Sequence, residues 1–212
     1  MALAAHCFAD LRQQGWTRDP AAEAAEGLRL AARAVEIAKD DSNVLWMAAH
    51  AVRMLGLDGP RARDLAYRAL RLNPNSPMAL TIAGRVESCL ANHDKAIELI
   101  GRALRLSPRD PREWLISTTM AAAYVRSGQF QEAVPWAENA LVQNPRNNGA
   151  RRLLAASLAS LGQSDKAREI MREVLKSDPD VTISTLRARM FYMDDSVWKT
   201  YSEAMRRAGL PE

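Results

Sequence analysis

Three histidines, two cysteines and two pairs of adjacent acids are the residues of this 212-residue chain whose types could do chemistry. A metal centre or a general base needs such groups at short, ligand-like spacings, as in HExxH or paired CxxC. His6, His50 and His93 are far apart in the sequence and form no such motif. Cys7 and Cys89 are too few for a disulfide framework and sit in apolar helical patterns, which reads as buried, reduced thiols. The pairs Asp40-Asp41 and Asp194-Asp195 stand just ahead of helical patterns, where a carboxylate satisfies the free N–H groups of a first turn. No GxGxxG, GxxxxGK or GxSxG is present. The expectation is a chain with no active site of its own, no cofactor and no metal.

The elements that carry these residues repeat. DKAIELIGRALRLSPRD (94–110) is echoed by RARDLAYRALRLNPNS (61–76), QEAVPWAENALVQNPRN (131–147) and DKAREIMREVLKSDPDV (165–181). Each copy has a small or apolar residue, another seven positions on, and a proline five beyond: Ala62, Ala69, Pro74; Ala96, Ala103, Pro108; Ala133, Ala140, Pro145; Ala167, Val174, Pro179. A weaker copy is Gly27, Ala34, Lys39. Residues seven apart share one helix face, so a neighbouring helix can approach closely there. Proline, lacking an N–H, ends the helix in a turn. Between copies lie apolar stretches with room for a second helix, such as NVLWMAAHAVRML and REWLISTTMAAAYV. A period of 34 to 37 residues predicts a stacked helical array in which each unit buries its neighbour's apolar face.

The pattern resembles the tetratricopeptide repeat. Trp46, Gly84, Tyr124 and the Ala–Ala–Pro triplets stand where that signature places them. His50 departs from it by replacing a small residue, Val174 by replacing an alanine, and Pro135 by falling early in its helix. The resemblance implies an all-α, right-handed α-solenoid of about five helix-turn-helix units plus C-terminal capping helices. Its units would be 1–39, 40–74, 75–108, 109–145 and 146–179 within a solenoid of residues 1–180, followed by capping helices over 181–212 in the same domain. In the last segment Val197, Trp198, Tyr201 and Met205 form an apolar stripe expected to cover the final repeat.

The ending, ISTLRARM followed by a short helix and AGLPE, resembles the C-terminus of one bacterial group. There a class III adenylate/guanylate cyclase domain, or a winged-helix DNA-binding domain, precedes a long tetratricopeptide region. The resemblance implies a non-catalytic protein–protein interaction scaffold, the regulatory tail of a larger signalling protein. The alternative is a free-standing adaptor that binds an amphipathic partner helix.

The family's groove-facing pattern, carried onto this chain, selects Val44, Met47, Ala51 and Met54; Met78, Thr81, Arg85 and Ser88; Leu115, Thr118, Ala122 and Val125; and Arg152, Ala156 and Ala159. Met47, Met54, Met78, Thr81, Arg85, Leu115, Thr118, Val125 and Arg152 are the candidate partner-binding residues. The groove so drawn is apolar, with Arg85 and Arg152 its two cations, and suits an apolar or amphipathic segment. Periodicity alone does not separate such a groove from a packed interior. The expected partner is a protein or peptide, including another domain of a parent polypeptide, and pairing of two copies through their ends is open. The 29 Lys and Arg are interspersed with 25 Asp and Glu for a net charge of +4, which argues against nucleic acid as partner. No apolar run approaches the roughly 18 residues that span a bilayer, and the N-terminus lacks a basic signal-peptide region. A cytoplasmic protein off the membrane is expected.

Overall fold

The computed structural model describes residues 1–107, 112–189 and 193–212. Pro108 to Asp110 of the 94–110 copy, the last residue of ISTLRARM (Met190) and the boundary drawn between 108 and 109 lie outside them. The described residues form helices and no strand: α1 (Ala2–Gln14), α2 (Pro20–Ile37), α3 (Ser42–Leu55), α4 (Gly59–Leu72), α5 (Pro77–Cys89), α6 (His93–Leu106), α7 (Glu113–Arg126), α8 (Phe130–Gln143), α9 (Asn148–Ser160), α10 (Ser164–Ser177), α11 (Ile183–Arg189) and α12 (Asp195–Arg207).

Local chemistry sets the helix ends. Asp19 accepts from the Ala22 amide at 3.0 Å just ahead of Pro20, and Glu23 reaches back to the amides of Arg18 and Asp19. Asp41, Asp58, Ser76, Asn147 and Asp194 cap α3, α4, α5, α9 and α12 in the same way. The turns α5–α6, α7–α8 and α9–α10 each pass through one left-handed residue: Ala91 (φ 64°), Gly128 (φ 77°) and Gly162 (φ 83°). The next amide then bonds back to the helix, Asn92 to Glu87, Gln129 to Tyr124 and Gln163 to Leu158, each at 2.9 Å. Pro135 lies inside α8, on its exposed side.

Each odd-numbered helix from α1 to α9 packs on the even one that follows it, and each pair then stacks on the next through α2–α3, α4–α5, α6–α7 and α8–α9. The odd helices also touch one another in a row, α1–α3–α5–α7–α9. They therefore form the inner wall of the array. The small residues of the repeat fall at the closest contacts: Ala62, Ala69, Ala96, Ala103, Ala133, Ala140, Ala167 and Val174 are all 0% exposed. At Gly84, a Cβ would lie 2.6 Å from Ile100 Cγ1 and 3.1 Å from the Ala96 carbonyl, so α5 meets α6 nearly backbone to side chain.

The C-terminal segment does more than cover the final repeat. Helix α12 packs against α9 and α7, both on the inner wall, and buries Val197, Tyr201, Ala204 and Met205. The Asp194 amide bonds to the Cys89 carbonyl at the end of α5 (2.9 Å), and Arg12 of α1 donates to the Ala188 carbonyl (3.1 Å). The apolar stripe alone predicts a cap; the structure lays that stripe across the inner wall and brings α11 to α1. Among the described residues no helix is long and apolar enough to cross a membrane.

Candidate functional site

Between the inner wall and the C-terminal segment lies a cavity of about 460 Å³. The end of α1 contributes Gln13, Gly15 and Trp16, α3 contributes Met54, and α5 contributes Arg85. From α7 come Trp114, Leu115, Thr118, Thr119, Ala122 and Arg126, a face that recurs every three or four residues. The entrance to α9 supplies Arg146, Asn147, Asn148, Gly149 and Arg152, and Leu186 and Tyr201 close the side made by α11 and α12.

The polar groups are ordered. Arg85 donates to Gln13 Oε1 at 2.9 Å, and Arg126, 6% exposed, donates to Ser88 Oγ at 3.1 Å. Thr118 accepts from Asn147 Nδ2 (2.7 Å) and gives its own proton to the Trp114 carbonyl (2.6 Å). Thr81 likewise donates to the Pro77 carbonyl (2.7 Å). Arg85, Arg126, Arg146 and Arg152 line the cavity against one acid among the described lining residues, Asp178. Burial and then the Arg126 charge pull the Arg85 guanidinium down to about 10, with Asp10 opposing.

A second cluster lies at the N-terminal end. His6 and His50, far apart in sequence, have ring centroids 4.9 Å apart because α1 packs on α3. Asp10 bridges them, 3.4 Å from His6 Nε2 and 3.2 Å from His50 Nε2. Two histidines and a carboxylate this close have metal-ligand composition. The wiring argues otherwise. Arg53 Nη2 lies 3.3 Å from His50 Nδ1, and a guanidinium can only donate, so Nδ1 accepts and the proton sits on Nε2, facing Asp10. Ligation through the Nε2 that faces Asp10 needs the reverse, a bare Nε2 with Nδ1–H donated to an acceptor, and the Nδ1 side is taken by the Arg53 guanidinium. Burial foremost, with Arg53 and Arg85 adding to it against the Asp10 bond, holds His50 at about 3. His6 is lowered too, by burial foremost. Asp10 is also lowered: burial would raise it, but the His50 bond and neighbouring positive charge prevail. The cluster is a neutral-histidine relay tying α1 to α3.

Comparison with known proteins gives the array its family likeness. The tetratricopeptide repeat family model matches residues 124–190. Among solved structures, a thermophilic tetratricopeptide-repeat protein of Thermus thermophilus superposes with a TM-score of 0.65 at 19% identity, over 87% of this chain and 92% of that one. "MamA 41-end from Desulfovibrio magneticus RS-1" gives 0.58 at 21% identity, over 84% and 98%. "YrrB: a TPR protein with an unusual peptide-binding site" gives 0.53 at 20% identity, over 84% and 90%. The fold is a tetratricopeptide-repeat solenoid. No curated protein is significantly similar in sequence.

Within that solenoid the candidate partner-binding residues separate into two groups. Met54, Arg85, Leu115, Thr118 and Arg152 line the cavity. Met78 and Val125 are buried in the core, Thr81 is 0% exposed, and Met47 is half-buried against the core. The tetratricopeptide pattern selects Val125 on α7, but the lining face runs 115, 118, 119, 122, 126, so Arg126 takes its place. That face was readable, since Arg126 is one turn beyond Ala122. Trp16, Trp114, Arg146 and Tyr201 carry no repeat signature; tertiary packing brings them in. The site is accordingly more cationic and more aromatic than the apolar groove read from sequence. Cys7 also departs from expectation: it is exposed, and Cys89 is buried.

Proposed function

We propose that this solenoid is a non-catalytic protein-interaction scaffold whose inner face receives an amphipathic helix. One observation carries the reading: α7 and α9 already hold such a helix, α12, by its Val197, Tyr201 and Met205 stripe. A partner helix with the same kind of stripe competes with α12 for this wall. The solved structure described as having a peptide-binding site shares the fold, which agrees with a peptide or protein partner. The test is partner capture with Leu115→Glu, at the inner wall, beside Arg68→Glu on the outer helix α4. Loss of the captured partner with the first and retention with the second is expected; the opposite pattern overturns the reading.

The wider proposal, a regulatory region of a larger bacterial cyclase-like or winged-helix regulator-like signalling protein in the cytoplasm, rests on the AGLPE ending and the repeats that resemble that group. It is tested by the size of the native polypeptide in source cells. A band much heavier than 23.5 kDa is expected, and a band at that mass favours the free-standing adaptor.

A further inference from the structure

We propose that the cavity between the inner wall and α12 is a binding site for a small organic anion carrying a planar ring. The site differs in chemistry from the helix-receiving surface but shares wall residues with it, and a partner helix that displaces α12 would open it. A volume of about 460 Å³ is in the range of a small-molecule pocket. Four arginines face it with Asp178 as the single acid among the described lining residues. Arg146 and Arg152 have no hydrogen bond or ion pair with any described residue, and the Arg152 Nε is buried without a partner. Guanidinium groups are matched to phosphate and carboxylate by their forked donors.

The backbone adds to the charge. Asn147–Gly149 open the thirteen-residue helix α9 onto the cavity, so its positive end faces the same space. Asn147 takes the Ala150 amide, and Gly149 brings no side chain over the rest of that turn. The half-buried Trp114 supplies flat apolar surface for a ring, and the buried Tyr201 closes the cavity beside it. An anion placed among these groups also offsets the mutual repulsion of Arg85 and Arg126. Metal cations are disfavoured by the same charges. The lining residues come from all five helix pairs and from α11 and α12, so the site exists only when the C-terminal segment is seated.

Titration calorimetry of the full chain with pyrophosphate, adenosine monophosphate, citrate and a tetrapeptide with a free C-terminal carboxylate tests this. Saturable one-to-one binding of adenosine monophosphate is expected, tighter than pyrophosphate or citrate. The doubly substituted Arg146→Gln/Arg152→Gln chain should bind about tenfold or more weakly with an unchanged melting temperature, because neither side chain bonds to a described residue. If that double variant lowers the melting temperature, Arg146→Gln alone, at an exposed position, decides by the same loss of affinity. The proposal fails if adenosine monophosphate does not saturate or binds no tighter than pyrophosphate and citrate, if the variants bind as the parent does, or if only the tetrapeptide binds.

Discussion

At the scale of single residues, the left-handed turn position is the clearest test of the backbone account. Gly128 and Gly162 occupy it at no steric cost, whereas Ala91 holds φ 64° with a Cβ. Ala91→Gly is expected to stabilise the fold by about 0.5–1 kcal/mol, and Gly128→Ala to destabilise it by about 1 kcal/mol; urea denaturation measures both. Gly84→Val is expected to cost about 1–3 kcal/mol or more, because the added atoms meet Ile100 and the Ala96 carbonyl. The small residues were legible in the sequence because their seven-residue spacing encodes the close face directly. The approach of His6 to His50 was not, since it depends on how α1 lies on α3. That pair gives a pH dependence. His50 titrates at about 3 when folded against 6.5 when exposed, so between those values the unfolded chain binds the extra proton and stability falls on acidification. The slope is about 1.4 kcal/mol per pH unit at most for one such group. The lowered His6 and Asp10 act in the same direction. Urea curves at pH 7.5, 6 and 5 should show this decline, and His50→Asn should flatten it.

At the scale of elements, the helices were legible because caps, prolines and periodicity are local. The path of the last one was not. An amphipathic stripe says that a face will be buried, not which surface buries it, and α12 passes over the inner wall where a simple end cap was expected. Met205 is 0% exposed, so Met205→Glu places a charge against the wall and should release α12. Hydrogen exchange is expected to rise in α12 and at its contacts on α7 and α9, with α2 and α4 unchanged. Equal protection of α12 in the variant would show that its stripe does not hold it there.

At the scale of the whole molecule, repetition yields a continuous wall of odd-numbered helices that no single unit could bury. Its regular part follows from the sequence period. Its chemical part, the arginines and rings around the cavity, comes from side chains of α1, α5, α7, α9 and α12 that no repeat signature links. This wall is where partners are proposed to be received. The decisive experiment is photo-crosslinking in source cells, with a photoreactive residue at Thr118 or Arg152 on the wall and, in parallel, at Val142, 81% exposed on α8. A protein crosslinked from Thr118 and Arg152 and not from Val142 is expected. Crosslinks arising only from Val142, or none from the wall, would contradict the claim.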